Sequence, residues 1–506
     1  MSGLPNIRCD DLVIGSGPAG LTTAILLAKS NRKVLLVERG AAVGGGLRGF
    51  TRAGVHFDTG FHFTGSIRSG ELFPFLLQQL AVDERVKLIA GDETCTHRFV
   101  FSSAGNAEIH VPAGIEATIE LWSSYFPKEA EAIRWYFTTL KAIAAKTMGM
   151  QPHEPLVEYG RLDEDYVSLK EVLDAKFQDP VLKGAASVFA MCHGTPPSKV
   201  PFGVHARVSY GLHQSNGVVA GGGSALADAL LSEALQSGVE VVTGCSVDAF
   251  QKLEQNIATE ATLSDGRVVT FERCVMTQHP FQILQLMHPF KLHKAFMERV
   301  EMLEPTAGYF AGFGVLQGEA PLPGFAHSIH SLFPGTDFDQ MMDASWQGDA
   351  PLVLIEVPAG HGSKAPSVSA LELSFAQEVK AWDATTLRKR PKEYQEYKRQ
   401  RLARMSERVK TIVPYSDRMK WVDSASLLTF RDYLQSPEGS AYGVMQKIGQ
   451  YGLFGRLPIR NLYAAGQSSF VPGVMGSMLS GFFVVRQMVG KEFFDAHFWK
   501  SGKGLK

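Results

Sequence analysis

Gly15-Ser16-Gly17-Pro18-Ala19-Gly20 spaces three glycines in the pattern of a phosphate-binding turn. Each has a physical task. Gly15 permits a tight turn, Gly17 lets backbone approach a pyrophosphate, and Gly20 lets the next helix pack closely on a sheet. Pro18 and Ala19 fall at the helix start, where unpaired N–H groups and the helix dipole attract negative charge. Glu38 is an acid placed to accept hydrogen bonds from a ribose diol. The chemistry these residues support is the grip on a dinucleotide, with any redox step carried by the ligand.

Such residues need a strand before the turn, a helix after it and a second strand ending in the acid. Asp11 to Ile14 is a short apolar run, and Leu21, Ala24, Ile25 and Ala28 share one helical face. A further apolar run, Lys33 to Val37, ends in Glu38, which completes a Rossmann-type unit. The segment Arg39 to Arg48 then carries Gly44, Gly45 and Gly46 in succession. Backbone there can follow a longer ligand than NAD, so FAD is the expected cofactor. Arg39, Gly45, Gly46 and Leu47 are its candidate contacts, and Arg48 offers charge. At the far end the strand Leu462 to Ala465 leads into Gly466-Gln467-Ser468-Ser469 and then Pro472-Gly473-Val474-Met475-Gly476-Ser477. An apolar helix is predicted from Met478 to about Val489, with its N-terminal dipole toward the flavin ring or ribityl chain. Gly466, Gln467, Gly476, Ser477 and Met478 are the candidate contacts there.

Together these motifs resemble the FAD-dependent carotenoid desaturase and isomerase group, which includes the retinol saturases. The resemblance runs along most of the chain and is densest over residues 11–65, 218–280 and 426–490. FDTGFHFTG, Phe57 to Gly65, is most similar to the retinol saturase version of the motif after the Rossmann unit. TFRDYLQSPEGSAYG, Thr429 to Gly443, resembles the substrate-side segment, and NLYAAG with PGVMGSMLSG matches the closing motif. The resemblance implies a polyene or isoprenoid substrate in an apolar tunnel, saturated or desaturated by hydride transfer through flavin N5. It further implies that backbone at Val247 lies beside the adenine and that His62 lies close to the flavin. Arg431 and Tyr442 flank the substrate-side segment and join His62 as candidate catalytic residues. Gln467 stands where many relatives carry an acid, though an amide still hydrogen-bonds phosphate or ribityl oxygens. No cysteine follows Cys274, so a C-terminal cysteinyl flavin link is excluded and noncovalent FAD is expected. The alternatives are a cis-trans isomerase using reduced FAD, an amine or small-substrate oxidase on the same fold, and a noncatalytic FAD scaffold.

The expected fold is α/β, a Rossmann-type FAD-binding domain interleaved with an α+β substrate domain. Residues 1–90, 218–290 and 445–506 are assigned to the first, and 91–217 with 291–444 to the second. At 506 residues, 45 % hydrophobic and 20 % charged, the chain suits a folded protein with more than one core. Its 50 basic and 51 acidic residues give a net charge of -1, which disfavours a nucleic-acid partner. Five scattered cysteines without CxxC spacing indicate neither a zinc site nor a disulfide framework, and suit a reducing compartment. No signal peptide is expected, and no window reaches the roughly 18 uncharged apolar residues of a spanning helix. A cytoplasmic location with peripheral contact to a membrane surface follows as the expectation. Leu121 to Met150 reads as an amphipathic helix lining or covering an entrance. Arg388 to Lys410 reads as a solvated charged helix, with docking on anionic lipid as the alternative. Asp265-Gly266 marks a hairpin, after which Cys274 to Thr277 returns to the FAD domain. Gly221-x-Gly223 imitates a second dinucleotide fingerprint, but no acid ends the strand after it. It is assigned to the FAD domain, which leaves an external reductase or quinone, ahead of NAD(P)H, as the electron partner. Cys192-His193 shows no third partner for nucleophilic catalysis.

Overall fold

Two sheets divide the molecule, and the site lies between them. A computed structural model of the chain describes residues 6–158, 160–318, 324–359, 365–450 and 452–499. The outermost ends of the segments expected over 1–90 and 445–506 lie outside these residues. The first sheet has six strands in the order Glu240–Val242, Val34–Val37, Asp11–Ile14, Arg273–Met276, Leu462–Ala464, Gly455–Arg456. All neighbours are parallel except the last pair. Strands Asp11–Ile14 and Val34–Val37 are buried along their whole length, as expected for a parallel sheet covered on both faces. Asp11 is fully buried and its charge is met by Arg32 and Arg273, each at 2.8 Å. Helices Pro18–Lys29, Gly222–Gln236 and Gly473–Val489 cover one face through a shared apolar core. A four-stranded sheet containing the Asp265-Gly266 hairpin covers the other, with Gly266 at φ 85°.

The second sheet has seven strands, ordered Met419–Ala425, Gly308–Leu316, Ser367–Ser374, Leu352–Val357, Ile329–Phe333, His97–Phe101, Ala107–Val111. The hairpin His97–Phe101 with Ala107–Val111 comes from early in the chain. It joins the later strands through one parallel pair, His97–Phe101 beside Ile329–Phe333. Helices Ile115–Tyr125, Ala130–Ala145 and Phe202–Gln214 build an apolar layer over this sheet.

Several sequence expectations are corrected. The helix expected over Leu121 to Met150 is two helices, broken at Phe126-Pro127, because the ring of Pro127 drives Phe126 to φ -125°, ψ 64°. Trp122 and Tyr136 of these helices are core residues, so their apolar face packs inward. The closing helix begins at Gly473 rather than Met478. The strand that starts at Val247 ends at Phe250, and Leu253–Glu254 pairs with Ile257–Ala258 in a separate small hairpin. The helix expected over Arg388 to Lys410 spans Lys392–Val409 and is not solvated all round. Its Arg401 is buried against Glu372 and Glu378, and the Arg401 guanidinium sits 5.1 Å from the Phe310 ring centre.

Candidate flavin site and cavity

The turn after the first strand has the geometry its glycines suggested. Gly15 takes φ 94°, open to glycine and costly to other residues. A Cβ on Gly20 would overlap the Gly15 carbonyl oxygen, so helix and turn pack without room for a side chain. Thr277, just past the strand Arg273–Met276, donates from Oγ1 to the Ile14 carbonyl at 2.9 Å and fills the space beside Gly15. Gly17 and Gly46 behave differently: a Cβ on either would meet no atom within 4 Å. A Cβ on Gly45 would come 3.2 Å from the Gly17 Cα, and Gly44 N–H donates to Ser16 Oγ at 3.1 Å. Two glycine loops therefore lie against each other and leave open space along their backbones.

Glu38 closes this cradle. Its carboxylate accepts from the N–H groups of Ser16 at 3.0 Å and Gly40 at 2.6 Å, which fixes its direction and leaves lone pairs for a diol. The chain between the outer strand and Val247 wraps the same turn, with Gly244 N–H on the Gly40 carbonyl at 2.8 Å and Cys245 N–H on that of Glu38 at 3.1 Å. Val247 itself is buried in the core beneath. Arg39 is exposed, its guanidinium on the Tyr433 carbonyl at 3.4 Å. Ala19, Leu47 and Met478 turn their side chains into the core, which leaves backbone groups as their means of contact. At the opposite end Gly466, at φ 119°, donates to Ser480 Oγ at 2.8 Å, and Ser477 Oγ donates back to the Gly473 carbonyl at 2.7 Å. Pro18 opens the first helix, and Gln467 is half-buried just past the strand Leu462–Ala464. The open backbone cradle, the acid and the two helix N-termini fit the pyrophosphate and ribose of FAD.

The second glycine cluster has another task. The strand before Gly221, Asn216–Val219, is absent from the parallel sheet and pairs antiparallel with Thr64–Gly65 and Leu88–Ala90. The helix it feeds is capped by Asp58, whose carboxylate accepts from Gly223 N–H at 2.7 Å. A carboxylate already occupies the place where a second dinucleotide phosphate would bind.

Between the two sheets lies a cavity of about 180 Å³. One wall is the loop Gly60 to Gly65 and the helix start Val471 to Gly476; the other is the seven-stranded sheet and helix Phe202–Gln214. Phe61, Phe63, Val188, Phe189, Leu212 and Ile329 make it apolar. No aspartate or glutamate is among the described residues that line it. Arg207 does, but its charge is bound by Asp165 at 2.5 Å and its Nε–H by Thr147 Oγ1 at 2.9 Å.

The three candidate catalytic residues separate. His62 lines the cavity, and burial pushes its imidazole below the ordinary range against the opposing pull of Asp58 and the Thr59 backbone. Tyr442 also lines the cavity, as does Tyr309. Burial, then the neighbouring Tyr309 and Cys192, push its phenol far up, so it stays protonated. Arg431 does not line the cavity. It is held by Asp383 at 2.5 Å and Asp432 at 2.9 Å near the surface, so its expected substrate contact is withdrawn. Cys192 lines the cavity with its thiol pushed up to about 12 by burial, and His193 pairs with His205 at 3.2 Å instead. Sequence reasoning missed Tyr309, Met191 and Thr277. Thr277, ending a strand already assigned to the FAD domain, carried a signal; the other two looked like ordinary core.

The profile of the flavin containing amine oxidoreductase family matches residues 18–304. All-trans-retinol 13,14-reductase of Macaca fascicularis is 24% identical over 512 residues, covering 93% of this chain and 84% of that protein. Prolycopene isomerase 2, chloroplastic, of an Oncidium hybrid cultivar is 31% identical over 160 residues, 30% of this chain and 26% of that protein. The solved structure of an oxidoreductase from Methanosarcina mazei has the same fold, with TM-score 0.66 at 15% identity over 95% of this chain and 100% of that one. The matched family stretch takes in more than half of the sequence, including Gly20, Glu38 and the Gly44 to Gly46 loop. The chain therefore belongs to the flavin containing amine oxidoreductase family and is an FAD-dependent oxidoreductase.

Proposed function

We propose that this protein acts on carbon–carbon bonds of a polyene or isoprenoid, with FAD held noncovalently. One observation carries the reading: the cavity between the flavin cradle and the seven-stranded sheet is walled by apolar side chains and, among the described residues, by no carboxylate. A carboxylate in the cavity would favour a cationic amine, whereas dry apolar walls without one favour a long hydrocarbon. FAD would be held by the Gly15 to Gly20 turn, Glu38, the Gly45-Gly46 backbone and the ends at Gly466 and Gly476. Bound there, it supplies hydride acceptance or donation. The chain's own groups supply the rest. The aromatic walls exclude water, and His62, kept neutral by burial, takes up or returns a proton at its unprotonated ring nitrogen. Cys192 remains a thiol, which supports a noncovalent cofactor. Electrons are exchanged with an external reductase or quinone, since Asp58 fills the glycine-rich helix start at Gly221 to Gly223.

The test is to record the visible spectrum, release the cofactor by heat, and incubate oxidised and reduced protein with retinol and carotenoids. Product heavier or lighter by H2 supports a saturase or desaturase. Altered retention at unchanged mass supports the isomerase that the Oncidium relative is named for. Peroxide formed from amines, with no change in any polyene, would overturn the proposal.

A further inference from the structure

Among the described residues that line the cavity, Arg207 is the one with a permanent charge, and its side chain is 13 % exposed. A guanidinium carries five N–H donors and accepts nothing. Three are spent. The Nε–H goes to Thr147 Oγ1 at 2.9 Å, and each terminal nitrogen gives one to Asp165, Nη1 to Oδ1 at 2.5 Å and Nη2 to Oδ2 at 3.1 Å. One N–H on Nη1 and one on Nη2 remain, with no acceptor for either among the described residues.

The partners of Arg207 are themselves fixed. Thr147 Oγ1 donates to the Ile143 carbonyl at 2.8 Å, so toward Arg207 it accepts. Asp165 Oδ2 also accepts from Leu162 N–H at 3.0 Å, which closes the turn Asp163–Asp165. The ion pair leans on Gly203, one turn back on helix Phe202–Gln214. A Cβ there would overlap Asp165 Oδ1 and come 3.0 Å from Arg207 Nη1. Val208 and Leu212 of the same helix continue the apolar wall beside the guanidinium. Charge and donors then point to different ligands. Asp165 cancels the charge, so the pair offers a carboxylate no net attraction. The two remaining N–H groups still need an acceptor, because an unmet donor in a dry wall is costly.

We propose that Arg207, oriented by Asp165 and Thr147, is the specificity-determining anchor of the cavity, and that it selects apolar-chain ligands ending in a neutral oxygen acceptor. The inference rests on the polyene or isoprenoid reading above. A hydroxyl or ether oxygen accepts from the remaining N–H groups while its chain lies along the apolar walls. A plain hydrocarbon leaves those groups unmet, and an ammonium brings only further donors.

Equilibrium binding to the FAD-loaded protein tests this, using farnesol, its methyl ether, the hydrocarbon farnesene and the carboxylate farnesoate, with all-trans-retinol and retinoate as a longer pair. Arg207→Met combined with Asp165→Asn removes the donors without stranding a buried charge. It should weaken the alcohols and the ether by about tenfold, the worth of one buried hydrogen bond, and leave farnesene unchanged. Asp165→Asn alone uncovers the guanidinium charge, so each carboxylate should tighten by about tenfold or more relative to its alcohol. A purely structural ion pair would not produce that reversal. If the double variant leaves the alcohols unchanged, or weakens farnesene as much as farnesol, Arg207 is not the anchor and the apolar-chain reading stands. The same holds if Asp165→Asn brings no gain for either carboxylate. Binding of none of these compounds to wild type overturns both.

Discussion

Gly17 and Gly20, in one turn, separate what the fold needs from what the cofactor needs. Gly20 is enclosed by protein: a Cβ there would overlap the Gly15 carbonyl oxygen. Gly17 is enclosed by nothing within 4 Å, and its φ of -65° suits any residue. Gly20→Ala should therefore destabilise the protein by about 1–3 kcal/mol through overpacking, whether or not flavin is present. Gly17→Ala should leave the cofactor-free protein within about 1 kcal/mol of wild type and yet lose FAD. Urea unfolding of the stripped proteins, set beside their flavin-to-protein absorbance ratios, checks both. Equal flavin content in Gly17→Ala and wild type would mean that no phosphate approaches that backbone. His62 allows a similar separation. His62→Gln keeps polarity but cannot exchange a proton, so kcat should fall by roughly 10²–10⁴ with flavin content unchanged. Because burial lowers the His62 imidazole, wild-type activity should hold through neutral pH and decline only below about pH 6.5.

At the scale of elements, helix Lys392–Val409 shows how a strongly basic segment becomes structural. Arg401 spends its N–H groups on Glu372, Glu378, Ser374 and the Leu373 carbonyl, and Arg408 holds Glu372 at 2.6 Å. Arg404, one turn from Arg401, is exposed. Arg401→Ala should cost about 3 kcal/mol, because buried Glu372 is left with Arg408 alone and half-buried Glu378 loses its arginine, while Arg404→Ala should change stability by no more than about 0.5 kcal/mol. Thermal unfolding of the two variants checks this, and similar losses in both would contradict the burial. The sequence displayed the charge of this helix but not its inward arginine, since a basic residue reads alike whether a carboxylate meets it or water does. The flavin cradle was legible for the opposite reason. Glycine spacing encodes backbone conformation directly, so Gly15, Gly17, Gly20 and the Gly44 to Gly46 loop announced their task. The cavity was much less legible: Phe63, Phe189, Tyr309 and Ile329 come from distant segments and look like core until the fold brings them together. The break at Pro127 was available in the sequence, where the proline interrupts the apolar pattern, but periodicity on either side masked it.

The molecule as a whole carries a pH liability in the layer that roofs the cavity. His97, His193, His205 and His213 are buried there, none more than 2 % exposed. Burial lowers all four imidazoles: His97 and His205 to about 3, and His193 and His213 well below the ordinary range, with neighbouring histidines adding to the shift in His97, His193 and His213. Their native forms refuse protons that the unfolded chain accepts near pH 6.5. As pH falls below that value the unfolded state binds more protons, so stability falls, by up to about 1.4 kcal/mol per pH unit for each histidine until its native value is reached. Two such groups remove several kcal/mol by about pH 5, a large part of the 5–15 kcal/mol that typically holds a domain. Carboxylates such as Asp165 and Glu356, lowered in the native state, push the same way but act only near pH 4 and below. The urea midpoint should thus fall steeply between about pH 7 and pH 5, above the carboxylate range. His213→Phe sharpens the test. The His213 ring already packs against Phe137 at 4.8 Å and Phe189 at 5.0 Å, and its Nδ1 has no hydrogen-bond partner. The variant should match or exceed wild type near neutral pH and lose stability less steeply as the solution is acidified. A midpoint unchanged over that interval in wild type would mean that these histidines are protonated in the native protein, and that the roof of the cavity is wet.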